Sequence, residues 1–179
     1  MIETATSACS VALIESGAVI ASDAAVVGRG HAERLMPMIA NLPDGGRANE
    51  IWVDCGPGSF TGIRVGIAAA RGLGFGWGVP VHGFSSMALI AATWFAHNDG
   101  EATTVVIEGG HGEVFVQPFA RSPFAETTAL ASVPRDAAAV TGPRAGDVGP
   151  DARCAILLAE APLPPRPIYG RAPDAKPMM

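Results

Sequence analysis

The chain has 179 residues, of which 49% are apolar and 16% charged, with 22 glycines and a formal net charge of -5. That apolar content supports a buried core in one large domain or two small lobes, built largely from small side chains packed closely. The acidic balance argues against a broad electrostatic footprint for nucleic acid and leaves room only for a local basic patch.

In chain order, Val11, Leu13 and Ile14 lie in an apolar run that reads as a strand. Glu15-Ser16-Gly17 is a turn signal, and 18–27 reads as the returning strand. Residues 31–42 read as a helix with Leu35, Met38, Ile39 and Leu42 on one face, and Pro37 predicts a kink or a late start. A short apolar strand over 50–55 runs into the tight turn Gly56-Pro57-Gly58. A long helix is predicted over 60–76, a strand over 79–84 and a helix over 87–96 that Ser85 or Ser86 starts. Polar residues 97–101 mark a lobe boundary, giving a first lobe of 1–97 and a smaller second lobe of 98–179. The second lobe opens with a strand at 103–107, a turn at 109–112 and a returning strand at 113–119. Residues 136–140 and 154–160 read as short elements, and the proline-rich 162–177 as an extended tail.

Ile2-Glu3, a turn and the strand 9–14 resemble Ile107-Glu108, a turn and the strand 114–119. This internal repeat suggests two related lobes, and the βαβ pattern of the first adds a partly parallel sheet flanked by helices.

Residues 56–66, Gly-Pro-Gly-Ser-Phe-Thr-Gly-Ile-Arg-Val-Gly, carry the strongest signal. Ser59 or Thr61 is placed to cap the following helix. Its free amides could hold a phosphate, but the lysine of a P-loop is absent after Gly62. The Gly-x-Ser-x-Gly order of a hydrolase elbow is absent as well. Gly58, Gly62, Gly66, Ala70, Gly74 and Gly78 recur at every fourth position. Each helix-interior glycine costs about 0.5–1 kcal/mol relative to alanine, so close backbone packing must offset the stripe. The stripe fits either packing onto the chain's own sheet or a face for another subunit.

His31 is followed four residues later by Leu35, not by a second ligand, and His82, His97 and His111 are isolated, so no metal-site spacing is found. Glu108 and Glu113 flank a hairpin turn with no other sign of acid–base chemistry. Cys9, Cys55 and Cys154 lack paired spacing, which suits a reducing cytoplasm and small buried side chains. Met1-Ile2-Glu3 does not open a signal peptide, and Arg64 and Arg71 argue against a membrane span over 62–81. A cytoplasmic location is expected.

Residues 3–13 resemble the opening of the TsaB (YeaZ) family, and His31-Ala32-Glu33-Arg34-Leu35-Met36-Pro37-Met38-Ile39 resembles its first-helix motif. Residues 56–66 resemble its signature segment, residues 112–117 its second hairpin, and Tyr169-Gly170-Arg171 its C-terminal Tyr-Leu-Arg. The resemblance implies an α/β, actin-like (ribonuclease-H-like, ASKHA) duplicated fold with a shortened second lobe. It implies a non-catalytic subunit without cofactor or metal, acting in tRNA threonylcarbamoyladenosine formation. Its partners would be the transferase TsaD and the ATPase TsaE, or a second copy of itself, with tRNA met only indirectly. The first two helices would form the pairing face, and the residues expected there are His31, Arg34, Leu35, Met38, Gly62, Gly66, Ala70 and Gly74. By motif alignment, the two metal-binding histidines of the catalytic relative fall on Ser86 and Ile90, neither of which replaces an imidazole. The alternatives are an actin-like ATP-dependent phosphotransferase and a glycoprotease-type metallopeptidase. Two departures from the family stand out: only Met1 and Ile2 precede the acidic residue, which is Glu3 where Asp is usual, and no convincing helices follow residue 119.

Overall fold

The computed structural model describes residues 1–28, 30–138, 149–158 and 162–170. Five strands form the first sheet: β1 (Ile2–Glu3), β2 (Ala8–Glu15), β3 (Ala18–Val26), β4 (Ile51–Asp54) and β5 (Val81–Phe84). Their order is β3-β2-β1-β4-β5. β2 runs antiparallel to both β1 and β3, while β1 and β5 both run parallel to β4. Crossovers between parallel strands need a helix, and α2 (Phe60–Trp77) supplies the one from β4 to β5. The helix α1 (His31–Ala40) precedes β4 and packs beside α2. It begins at His31 without a late start and carries Pro37 inside it.

Alternate residues of the short strands divide between the two faces of the sheet. Ile2, Val11, Ile51 and Val53 face α1 and α2 and join Leu35, Met38, Ile63, Ile67 and Ala70 in one core. Trp52 and Phe84 point the other way, onto Leu89 and Ala92 of α3 (Ser86–His97). The opposite side of α3 meets a second sheet, where Met87, Ile90, Ala91, Trp94 and Phe95 pack with Val105, Phe115 and Phe119. Lying between two sheets, α3 is apolar nearly all round, as burial on both sides requires.

The second sheet contains β6 (Ala102–Gly110), β7 (Glu113–Ala120), β8 (Ala125–Glu126) and β9 (Ala131–Pro134). The long β6–β7 hairpin repeats the hairpin theme of the first lobe, and β8 and β9 both pair with β7. After β9 the described residues hold two 3-10 turns, Arg135–Ala137 and Ala152–Leu158. Parts of the short elements predicted over 136–140 and 154–160 lie outside the described residues, as does the tail beyond 170. Residues 162–170 return to the first lobe. There Leu163 forms a two-way backbone bridge with Gly83, and the Ile168 amide donates to the Cys55 carbonyl at 2.7 Å.

Candidate functional site

The turn before α2 is set by its caps. Ser59 Oγ accepts from the Gly62 amide at 3.2 Å, and Gly78 ends the helix in the left-handed conformation at φ 69°. Between those caps Gly62, Gly66 and Gly74 face inward. A Cβ at Gly62 would stand 2.0 Å from the Thr4 carbonyl oxygen, and one at Gly66 would stand 2.3 Å from Thr4 Oγ1. One at Gly74 would stand 2.4 Å from Val81 Cγ2. The stripe therefore lets α2 lie directly on the chain's own sheet.

Seven of the eight residues expected at a partner face lie inside the fold. Gly62, Gly66, Ala70 and Gly74 are buried against β1, β4 and β5. His31, Leu35 and Met38 are buried as well, with His31 Nε2 within 3.0 Å of the Ala8 carbonyl oxygen. Of the eight residues, Arg34 alone is exposed. A small-residue stripe allows close approach without saying from which side, and here the approaching backbone is that of Thr4, just after β1.

The outer face of the same two helices has a different composition. On α2 it carries Phe60, Thr61, Arg64, Ala68, Arg71, Gly72, Phe75 and Gly76, and on α1 it carries Glu33, Met36, Pro37 and Ala40. Phe75 is 92% exposed and Met36 44%. Gly72 and Gly76 have open space where a Cβ would stand. At the start of α2, Arg64 lies 3.8 Å over the Phe60 ring, which stacks on Tyr169. Arg64 also donates to the Tyr169 hydroxyl at 3.3 Å, and Arg71 donates to the Pro165 carbonyl at 2.6 Å. The returning C-terminal segment thus touches this face at Phe60, Arg64 and Arg71 and leaves Phe75 bare.

A cleft of about 640 Å³ lies between the lobes, lined by the β1–β2 turn, Gly58, Ser59, Ile90 and Glu108 among others. Two of the amides a phosphate would need at this turn are already engaged. Ser59 N donates to the Ala5 carbonyl at 2.6 Å, and Gly62 N to Ser59 Oγ.

The sequence reading missed a pair of carboxyls. Ile2 pairs with Val53 in parallel register, so the next residues, Glu3 and Asp54, are neighbours on the α3 side of the sheet, with backbones about 4.8 Å apart. Both are wholly buried. Glu3 Oε1 accepts from the Thr6 amide and hydroxyl at 3.1 and 3.2 Å, and Oε2 accepts from Ser10 Oγ at 3.4 Å. Asp54 Oδ1 accepts from the Gly56 amide at 2.8 Å and Ser86 Oγ at 2.6 Å, while Oδ2 is buried without a partner. Burial first and the Asp54 charge second push Glu3 well above the usual carboxylate range. Burial also pushes Asp54 up, against the opposing hydrogen bonds from Ser86 and Gly56. The signal available in sequence was an acidic residue closing each of two apolar runs.

Ser86 is buried and engaged with Asp54, and Ile90 lies in the core beneath the second sheet. Among the described residues no group of three or more His, Cys, Asp or Glu is placed to hold a metal. Glu108 pairs with Arg135, and Glu113 accepts from Ser132 Oγ at 2.7 Å. Cys9, Cys55 and Cys154 are free thiols, the first two buried. No helix among the described residues is long and apolar enough to cross a membrane.

The family model for TsaD, tRNA N6-adenosine threonylcarbamoyltransferase, matches residues 19–132. The tRNA threonylcarbamoyladenosine biosynthesis protein TsaB of Escherichia coli is 36% identical over 125 residues, an alignment that covers 67% of this chain and 54% of the relative. An uncharacterized protein of Mycobacterium tuberculosis is 31% identical over 204 residues, covering 99% of this chain and 93% of that protein. The solved structure of YeaZ from Pseudomonas aeruginosa superposes with a TM-score of 0.84 at 26% identity, covering 94% of this chain and 97% of that one. The two-sheet arrangement is thus the actin-like fold of YeaZ, and the chain belongs to the TsaB (YeaZ) family, within the wider group that the TsaD model describes.

Proposed function

We propose that this chain is a non-catalytic, activating subunit of the machinery that forms threonylcarbamoyladenosine on tRNA, and that it pairs with a TsaD-like transferase through the outer face of α1 and α2. The observation that carries the pairing surface is Phe75, 92% exposed beside Gly72 and Gly76 on a helix that is otherwise well seated. A large ring bared to this degree among small neighbours presents apolar area and a shallow surface for another molecule's side chains. Met36 and Pro37 of α1 extend the same side. The same face serves a homodimer when the transferase is absent, and a TsaE-like ATPase joins the assembled pair. With a net charge of -5, the chain meets tRNA through its partner rather than directly.

A serine and a core isoleucine stand at the two positions that the motif alignment gives to metal-binding histidines, and the serine is committed to Asp54. The test is reconstitution of threonylcarbamoyladenosine formation with TsaD-like and TsaE-like subunits, with and without this chain. Product that requires all three, with none from this chain alone, is the expected result. Formation at full rate without the chain, or ATP binding by the isolated chain at millimolar concentration, would contradict the proposal.

A further inference from the structure

The junction between the first sheet and α3 is built around two carboxyls that carry no role in pairing. Glu3 and Asp54 occupy adjacent parallel strands in register and point to the same side, and water reaches neither of them. Glu3 fixes the β1–β2 turn through Thr6 and touches β2 through Ser10, while Asp54 fixes the β4–α2 turn through Gly56 and the first residue of α3 through Ser86. Four segments thus meet on two acids. Two full negative charges side by side without water repel strongly, and an ionised carboxylate oxygen left unpaired in such a place is costly. Asp54 Oδ2 is such an oxygen. We propose that Glu3 and Asp54 jointly retain one proton at neutral pH, so that this junction carries one negative charge instead of two, and that losing the proton at alkaline pH loosens the seat of α3 on the first sheet.

The surrounding groups leave the pair to itself. On β2, next to Glu3, burial and then the Glu3 charge push the Cys9 thiol up to about 11, with Arg34 of α1 and Asp23 of β3 acting on it more weakly. At the end of β4, burial and then the Asp54 charge push the Cys55 thiol up to about 11, and Arg71 of α2 acts weakly against them. Both thiols stay neutral through the range in which the pair titrates. His31 of α1 engages the Ala8 carbonyl, and α3 presents Ser86, which is not titratable, to Asp54. The raised values of both carboxyls agree with the geometry, and because they interact, the protons belong to the pair.

The test is carbon-13 NMR of the full chain labelled at the Asp and Glu side-chain carboxyls, titrated from pH 5 to pH 9 and assigned with Glu3→Gln and Asp54→Asn. At least one carboxyl of the wild-type pair is expected to be protonated at pH 7. Removing the acid that ionises first should move the other's midpoint down by about one pH unit or more, because its charged neighbour is gone. Two fully ionised carboxylates at pH 7 in the wild type overturn the proposal, and that reading needs no variant to fold. Midpoints unchanged in both variants, Glu3 in Asp54→Asn and Asp54 in Glu3→Gln, overturn the sharing.

Discussion

Thr4 and Gly62 hold each other at the closest approach between α2 and the sheet. The Thr4 hydroxyl donates to the Gly62 carbonyl at 2.8 Å, and a Cβ on Gly62 would stand 2.0 Å from the Thr4 carbonyl oxygen. Backbone against backbone leaves no flexible side chain to give way. Gly62→Ala is therefore expected to destabilise the chain by about 3 kcal/mol, measured by denaturant unfolding. On the outer side of the same helix, Gly72 has nothing within reach of a Cβ. Gly72→Ala should gain about 0.5–1 kcal/mol through helix propensity alone. Opposite signs for two glycines on one helix separate the inward stripe from the outward one.

The first turn of α2 depends on Ser59, whose hydroxyl accepts from the Gly62 amide. Ser59→Ala should cost about 1 kcal/mol, and Ser59→Asp should retain most of that stability. Ser85, which accepts from the Met87 amide at 3.2 Å at the start of α3, is expected to behave alike. Thermal unfolding of the four variants checks both caps.

At Asp54 the side chain's size and its charge make separate contributions. Asp54→Ala leaves the Gly56 amide and the Ser86 hydroxyl without their acceptor, a loss of about 1–3 kcal/mol. Asp54→Asn keeps that acceptor and removes a charge. Because the folded pKa values of the pair are raised, the folded state holds more protons than the unfolded chain between the ordinary carboxylate range and the raised values. The pair's contribution to stability is thus full below about pH 4 and falls as pH climbs towards the raised values. Wild type should lose stability over that window more steeply than Asp54→Asn, with the two curves converging on the acid side. Melting curves at intervals from pH 5 to pH 9 make the comparison.

Much of the fold was legible because it rests on local signals. Glu15-Ser16-Gly17 marked the first hairpin, and Ser59 or Thr61 and Ser85 or Ser86 marked the starts of α2 and α3, of which the structure uses Ser59 and Ser85 as caps. The every-fourth glycines correctly marked a face that a backbone must approach. Their spacing is the same whether that backbone is Thr4's or another protein's, so it could not say which. The outward residues were hidden for a related reason. Phe75 belongs to a helix that is apolar on several sides, and only the inward turn of the stripe leaves its ring outside. Glu3 and Asp54 meet only through the parallel register of β1 and β4, a long-range pairing that no window along the chain contains. The return of Leu163 to Gly83 is likewise set by distant pairing.

The pairing surface itself gives a variant that should separate binding from folding. Phe75 is so exposed that Phe75→Ala removes little buried area, and its effect on stability should stay within about 0.5 kcal/mol. If the ring is an anchor for the partner, the same variant should weaken pairing by about 2 kcal/mol or more, roughly a 30-fold rise in Kd. Calorimetric titration and denaturant unfolding on one preparation give both numbers.

The most direct measurement is light scattering of this chain mixed with a TsaD-like subunit, comparing wild type with Phe75→Asp on the outer side of α2. Wild type should form a complex, and Phe75→Asp, folded and equally stable, should remain apart from the transferase. A complex of unchanged mass and affinity with Phe75→Asp would show that the partner meets some other part of the molecule.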